Sequence, residues 1–477
     1  MLFRLRVTVA LVFIMALTAG FLGLLARPLT WLEFLPALLA VNLLVVAALI
    51  ILTAILGRVY CAALCPLGVF QDIVFWLKKR LRPKQVQFSF LKEAVVLRYG
   101  ILAVLLVAWV LGLYFIPALL DPYSIYGRMV TNLLAPLWQQ GFNNVATLSS
   151  DHALGLLEKY DSVFQGTTAF VVALGYFIIL TSLAWRYGRL YCQTICPVGT
   201  MLGTVSRFAW LRPHMAADKC IGCGLCERHC RSSCIDVKKH LIDNSRCVLC
   251  MECLADCPVK AISYSHAFAA PASGPIPQTA QGPLLSRRTL LLTVGATLGT
   301  AVAGLARGEN TLAVLAAPQE HPVLPPGAST KQQFFQKCTA CQLCISKCPE
   351  QVLKPATTEY GMFGTGKPIM DYTRGYCDFN CNLCSSICPS QAIGSLALQA
   401  KQTKKIGVAN YDFHQCLINK ENVVCGNCAI HCPTGAITMG DFNGKKLPRI
   451  NESKCIGCGS CEYHCPATPK AMRVEGK

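Results

Sequence analysis

Six runs of four cysteines take up most of the 29 cysteines in this 477-residue chain, and no other feature restricts its fold so strongly. The first two runs are Cys220, Cys223, Cys226, Cys230 and Cys247, Cys250, Cys253, Cys257. After a long gap come Cys338, Cys341, Cys344, Cys348; Cys377, Cys381, Cys384, Cys388; Cys416, Cys425, Cys428, Cys432; and Cys455, Cys458, Cys461, Cys465. Five runs close in Cys-Pro, at Pro258, Pro349, Pro389, Pro433 and Pro466. Three closely spaced thiolates on one tight loop supply three corners of a 4Fe-4S cube, and the fourth usually comes from a partner run. Disulfides suit short secreted chains, and zinc ribbons use separated C-x2-C pairs rather than triplets. No C-x-x-C-H run is present, so covalently attached c-type haem is excluded from the chain. The sequence therefore predicts six 4Fe-4S clusters and a protein that conducts electrons.

Composition sets the surroundings. At 53% hydrophobic and 14% charged, the chain is too apolar for an ordinary soluble enzyme. Four apolar stretches, Val7–Ala26, Phe34–Leu56, Leu97–Leu120 and Thr167–Trp185, each approach the roughly twenty residues a helix needs to cross a bilayer. The first reads as an uncleaved anchor, since it has no clear small-residue cleavage site and further spans follow. A net charge of +19 could suggest nucleic acid, but no aromatic-basic face accompanies it. An oxidised cube with four thiolates carries about −2, so six would offset roughly twelve positive charges.

Loop charge orients the spans. Lys78, Lys79, Arg80, Arg82, Lys84, Lys92 and Arg98 follow the second, and Arg186, Arg189, Arg207 and Arg212 follow the fourth. Between the third and fourth only Arg128 and Lys159 are fixed positive charges. Positive loops stay inside, which places the amino terminus and the first run pair in the cytoplasm and residues 121 to 166 outside. In that outward loop Asp151 and His152 are candidates to take a quinol proton, or simply solvated.

The apolar part contains an internal repeat. Gly57-Arg58-Val59-Tyr60-Cys61-x3-Cys65-Pro66-x-Gly68 recurs as Gly188-Arg189-Leu190-Tyr191-Cys192-x3-Cys196-Pro197-x-Gly199, and each copy leads to a Leu-Arg-Pro. Duplicated helical units often pack about a pseudo-twofold axis, with functional groups where they meet. Such packing would gather Cys61, Cys65, Cys192 and Cys196, and four soft thiolates suit a metal or a seventh iron-sulfur centre. The alternatives are two redox dithiols, or Cys-Pro acting only to shape a helix exit.

The expected division is a four-span membrane domain over 1–213, a two-cluster domain over 214–266, and a linker over 267–285. A fifth membrane segment over 286–308, a second linker over 309–330 and a four-cluster domain over 331–477 complete it. The fifth segment opens Ser286-Arg287-Arg288-Thr289-Leu290-Leu291, resembling a twin-arginine export signal placed inside the chain. Crossing there puts the last four runs in the periplasm; the alternative is that the weakly apolar stretch does not cross. The fold class is thus an α-helical membrane domain of about five transmembrane helices with ferredoxin-like α+β domains.

By the two-cluster rule Cys220, Cys223 and Cys226 pair with Cys257, and Cys247, Cys250 and Cys253 with Cys230. Arg231 stands where the other runs have proline, and Cys234 is a competing fourth ligand, although spacing favours Cys230. In the last domain the x3 and x8 gaps suggest that the two inner runs pair together and the two outer runs likewise. Cys-Pro-x2-Ala-Ile after Cys257, Cys388 and Cys432 predicts a short strand covering each cube. His229, His431 and His464 precede cluster cysteines, where they either tune the cluster or merely pack.

The first 265 residues resemble the NapH type of membrane ferredoxin, in the four spans, the two C-x3-C-P motifs and the cytoplasmic pair. From Arg287 the chain resembles the NapG type, with its twin-arginine leader and four-cluster periplasmic domain. A fusion of the two implies a subunit of a quinol-linked oxidoreductase complex in the bacterial inner membrane. Such a protein would pass electrons between quinone, or a cytoplasmic donor, and a periplasmic reductase or cytochrome. The alternative function is an accessory donor for metalloenzyme maturation or repair, or for metal-ion reduction. No residue has the pattern of a substrate catalyst.

Overall fold

A computed structural model describes residues 2–25, 29–82, 88–111, 113, 115–150, 166–266, 321–361, 364–442 and 444–476. The arginine pair Arg287-Arg288, the linker 267–285, Asp151, His152 and Lys159 lie outside the described residues.

Among the described residues, two helices are long and apolar enough to cross a membrane, α1 (Leu2–Phe21) and Thr167–Tyr187. The other two expected spans are broken. Phe34–Leu56 divides into α2 (Phe34–Leu39) and α3 (Leu43–Leu56) because Val41 takes a left-handed φ of 57° and the Asn42 side chain caps α3 by accepting from Val45 N. A capping side chain satisfies an otherwise orphaned N–H, so it fixes a helix start there. Leu97–Leu120 likewise divides into α4 (Val95–Val110) and α5 (Phe115–Leu120). The expected span count is therefore not reproduced among the described residues.

After α3 and after Thr167–Tyr187 the chain turns on Gly57 and Gly188, both with positive φ, and re-enters the apolar core. The first hairpin continues through a π-helical turn, Tyr60–Leu64, into α6 (Pro66–Leu81); the second runs through Leu190–Thr194 into α7 (Pro197–Ser206). Cys65 and Cys196 are the N-caps and Pro66 and Pro197 fill the first helical position, where a missing N–H costs nothing. Cys-Pro here starts a helix rather than ending one.

Two of the three cluster pairs share one plan. In the first, β1 (Leu211–Met215) pairs antiparallel with β2 (Ile262–His266) and closes the two runs from outside, while the hairpin Ile235–Asp236/Leu241–Ile242 lies between them. Near the carboxyl end, Gly407–Tyr411 pairs with Met472–Gly476 around the hairpin Ile437–Phe442/Lys445–Ile450. Two expected boundaries shift. Leu211-Arg212-Pro213 belongs to the cluster domain as β1. Residues 321–330, expected as linker, pack into the last domain: Val323 is buried, and its carbonyl accepts from Met370 N.

Candidate iron-sulfur sites

Around the middle cysteine of each regular triplet the backbone curls to the left. Gly222 and Gly224 flank Cys223 at φ 71°, and Gly457 and Gly459 flank Cys458 at 76° and 79°. Leu249 and Met251, and Ala340 and Gln342, adopt the same conformation around Cys250 and Cys341 without glycine's freedom. Alternating hand makes successive N–H groups converge, the geometry of an anion-holding nest, and sets the three cysteines around one cavity. C-x2-C-x2-C spacing is what this curl requires.

The fourth sulfur of each set comes from the neighbouring run. One cavity is lined by Cys220, Cys223, Cys226 and Cys257. Cys253 has Cys250, Cys247 and Cys230 beside it. Cys344 faces Cys341, Cys338 and Cys388, and a further cavity holds Cys377, Cys381, Cys384 and Cys348. The last two cavities combine Cys416, Cys425 and Cys428 with Cys465, and Cys455, Cys458 and Cys461 with Cys432. The expected pairing of inner with inner and outer with outer runs is therefore overturned: consecutive runs pair. Sequential elements joined by a short connection pack side by side, whereas an irregular gap alters only the loop that carries it.

The lining suits a cluster. Ala261 and Ile262, Ala392 and Ile393, and Ala436 and Ile437 are all buried. Strands begin at Ile262 and Ile437; Ile393 covers its cavity without forming one. Backbone N–H groups of Ala261 and Ile393 donate to Cys257 Sγ at 3.2 Å and to Cys388 Sγ at 3.5 Å. Burial pushes the Cys226 thiol up to about 11 and the Cys250 and Cys341 thiols up to about 12. Gathered thiolates in such places need iron among them, and binding releases their protons.

Cys234 is wholly buried, with its sulfur 3.6 Å from Cys230 Sγ and in reach of Cys247. It stands beside the second set as a fifth thiol. His229 Nδ1 meets Asp256 at 2.6 Å, and His431 stacks flat on His464 with centroids 3.7 Å apart. Each pair joins the residues preceding the fourth cysteines of two partner runs, so these histidines tie the runs together at their junction.

The repeat cysteines Cys61, Cys65, Cys192 and Cys196 lie together in one apolar core, each at most 5% exposed. Arg58 donates to Cys192 O at 3.2 Å and reaches Cys61 Sγ at 3.6 Å, while Arg189 donates to Cys61 O at 2.6 Å. Gln71 Nε2 donates to Cys192 Sγ at 3.4 Å, and Gly199 N to Cys196 Sγ at 3.3 Å. A Cβ on Gly68 or Gly199 would sit 2.6 Å from Cys61 O or 2.2 Å from Cys192 O, which explains the glycine after each Cys-Pro. Among the described residues no three His, Cys, Asp or Glu side chains close on a point as ligands of one metal ion would. The sequence showed Arg58 and Arg189 as repeat positions, and Arg189 as a loop charge, without their buried role beside the cysteines; Gln71 and Asp72 have no repeat counterpart and left no signal.

The two groups of cysteine sets flank this tetrad. At the start of α1, Arg6 donates to Ala62 O and pairs with Asp72, which also pairs with Arg231 of the first cluster domain. Just past the other end, Leu25 O accepts from Lys347, the neighbour of Cys348. Arg128, in the helix Pro122–Met129, donates to Ala340 O at 3.1 Å, and Asn132 donates to the Gln342 side chain at 2.6 Å. The twenty residues of α1 span roughly 30 Å. Beyond, Cys377 N donates to Cys458 O at 2.8 Å, joining the two halves of the last domain.

Comparison with known proteins agrees with these geometries. A family model described as a 4Fe-4S binding domain matches residues 38–84 and 167–215, the two hairpin repeats. Another 4Fe-4S binding domain matches 240–263, and a 4Fe-4S dicluster domain matches 423–468. The methylamine utilization ferredoxin-type protein MauM of Methylobacillus flagellatus is 30% identical over 39% of this chain and 82% of its own length. Ferredoxin-type protein NapH of Haemophilus influenzae is 26% identical over 48% of this chain and 70% of its own. For ferredoxin-type protein NapG of Escherichia coli the figures are 29%, 28% and 61%. The chain belongs to this NapH/NapG-like family of ferredoxin-type proteins and is an iron-sulfur protein of electron transfer.

Proposed function

We propose that the chain is a membrane-bound relay, a NapH-like half joined to a NapG-like half, carrying electrons between the quinone pool or a cytoplasmic donor and a periplasmic acceptor. Six 4Fe-4S clusters occupy the six cysteine sets, and Cys61, Cys65, Cys192 and Cys196 hold a seventh iron-sulfur centre. Each cluster, when bound, takes up and gives back one electron at a time. The observation that carries the reading is position: the tetrad lies between two groups of cysteine sets that dock at opposite ends of α1.

The residues have defined parts in this. Apolar side chains exclude water from the sulfurs, and N–H donors such as Ala261 and Gly199 stabilise thiolate charge, which sets potentials. Arg128 and Asn132 hold the third triplet loop against the membrane half. In this reading the tetrad would carry electrons between the cytoplasmic and periplasmic clusters.

Iron and sulfide analysis with EPR, on the anaerobic protein before and after adding a menaquinol analogue, tests the reading. About 28 irons per chain, falling to about 24 when the four tetrad cysteines are changed to serine, supports seven centres of four irons. An unchanged iron count in that variant removes the seventh centre. Full occupancy without reduction by quinol points to a cytoplasmic donor or to the accessory role.

A further inference from the structure

Arg231 occupies the position where every other run has proline, and the structure gives it a task proline could not perform. Its Nε donates to Glu252 at 2.8 Å, its Nη1 pairs with Asp72 at 2.9 Å, and its guanidinium lies 4.7 Å over the Phe75 ring. Its carbonyl accepts from Arg189 N at 2.9 Å. Gly188 packs so closely that a Cβ there would meet the same carbonyl at 2.5 Å. Asp72 receives two further bonds from Arg189, at 2.8 and 2.7 Å, and Arg189 ends on Cys61 O at 2.6 Å.

Two unbroken routes therefore join Cys230 to Cys61. One runs along the peptide to Arg231 O and across to Arg189; the other runs through the Arg231, Asp72 and Arg189 side chains. Arg231 is 6% exposed, and such a buried, fully bonded ionic chain holds its members rigidly. Tunnelling falls off steeply with every ångström of gap, and bonded contacts shorten the gap more than apolar packing does.

We propose that Arg231 is a positioning residue that seats the cytoplasmic cluster pair on the membrane tetrad and couples the two for electron transfer. This rests on the tetrad holding an iron-sulfur centre. The step moves one electron from the centre ligated by Cys230, which is oxidised, to the centre held by Cys61 and its partners, which is reduced. No bond breaks and no proton moves.

The test uses the full-length, cluster-loaded protein as wild type, Arg231→Gln and Arg231→Lys. Three quantities are read: iron per chain, the EPR interaction between the Cys230-side and tetrad centres, and the rate at which the outer clusters are reduced once the cytoplasmic pair has been. In Arg231→Gln the iron count should hold, the magnetic interaction should weaken and the rate should fall roughly tenfold. Lysine keeps the charge but loses the fork, so it should recover part of both. If the glutamine variant loses iron, the lysine variant decides: slowed transfer at full iron supports the role, and a wild-type rate overturns it. Wild-type transfer that is undiminished in Arg231→Gln overturns the inference alone. No transfer and no tetrad signal in the wild type overturns the relay reading and this inference together.

Discussion

Arg58 donates to the carbonyl of Cys192 at 3.2 Å, reaching from one hairpin repeat into the other, and its repeat mate Arg189 returns the contact on Cys61. The exchange is reciprocal, as a pseudo-twofold axis demands. Each arginine lies beside the glycine of the opposite repeat, Gly199 for Arg58 and Gly68 for Arg189.

Filling those glycines should break the exchange. Gly199→Ala places a Cβ 2.2 Å from Cys192 O and 2.9 Å from Arg58, and Gly68→Ala meets its carbonyl at 2.6 Å. Overpacking of this kind costs about 1–3 kcal/mol. Thermal unfolding of the two variants should show both destabilised, Gly199→Ala the more. A Gly199→Ala protein as stable as wild type would show that the second hairpin does not pack so tightly on itself and on Arg58.

Asp72 accepts from Arg6, Arg189 and Arg231, and its side chain is 10% exposed. Asp72→Ala leaves Arg6 and Arg189 in an apolar setting without their counter-ion and Arg231 with Glu252 alone. Breaking a buried ionic pair by removing one partner costs about 3–5 kcal/mol. Denaturant titration should register that loss, and limited proteolysis should find the first cluster domain released from the helical half.

Consecutive pairing has its own signature. Cys348→Ala should abolish the centre held by Cys377, Cys381 and Cys384 while leaving that of its own triplet, and Cys465→Ala should abolish the one at Cys416, Cys425 and Cys428. Pairing of the third run with the sixth would instead make Cys348→Ala remove the centre at Cys455, Cys458 and Cys461. EPR of the isolated variants separates the patterns.

Cys234 stands 3.6 Å from Cys230 Sγ, near enough to replace it. Cys230→Ala is expected to keep its cluster at reduced occupancy, with Cys234 as fourth ligand, and the double variant to lose about four irons. Cys234→Ala alone should keep all its iron and change only that cluster's midpoint potential, since a neighbouring thiol is removed from a ligand sulfur. Equal iron loss in Cys230→Ala and the double variant would exclude the substitution.

All six runs were legible in the sequence because ligand spacing is local: the curl at Gly222 and Gly224 needs only the residues between the cysteines. The meeting of Cys61 with Cys192 was legible through the repeat, which implies symmetry. What escaped depends on contacts distant in sequence. The unequal gaps after Cys377 and Cys416 suggested the wrong partners because gap length shapes a loop without choosing a neighbour. Hydropathy ran α2 and α3 together, since a left-handed Val41 and the Asn42 cap barely alter a window average. Arg231 was visible as a departure from proline, but its meaning lay in Asp72, far away in sequence.

The docking of cysteine sets at opposite ends of α1 has an energetic corollary for the proposed relay. With α1 set across a bilayer, as the relay reading has it, an electron travelling from the Arg231 end to the Lys347 end would carry its charge through the membrane's electric field. Each elementary charge crossing the full field exchanges about 2.3 kcal/mol per 100 mV. Voltage would then bias the direction of flow alongside the cluster potentials, and the relay would either draw on the membrane's stored energy or add to it with each electron passed.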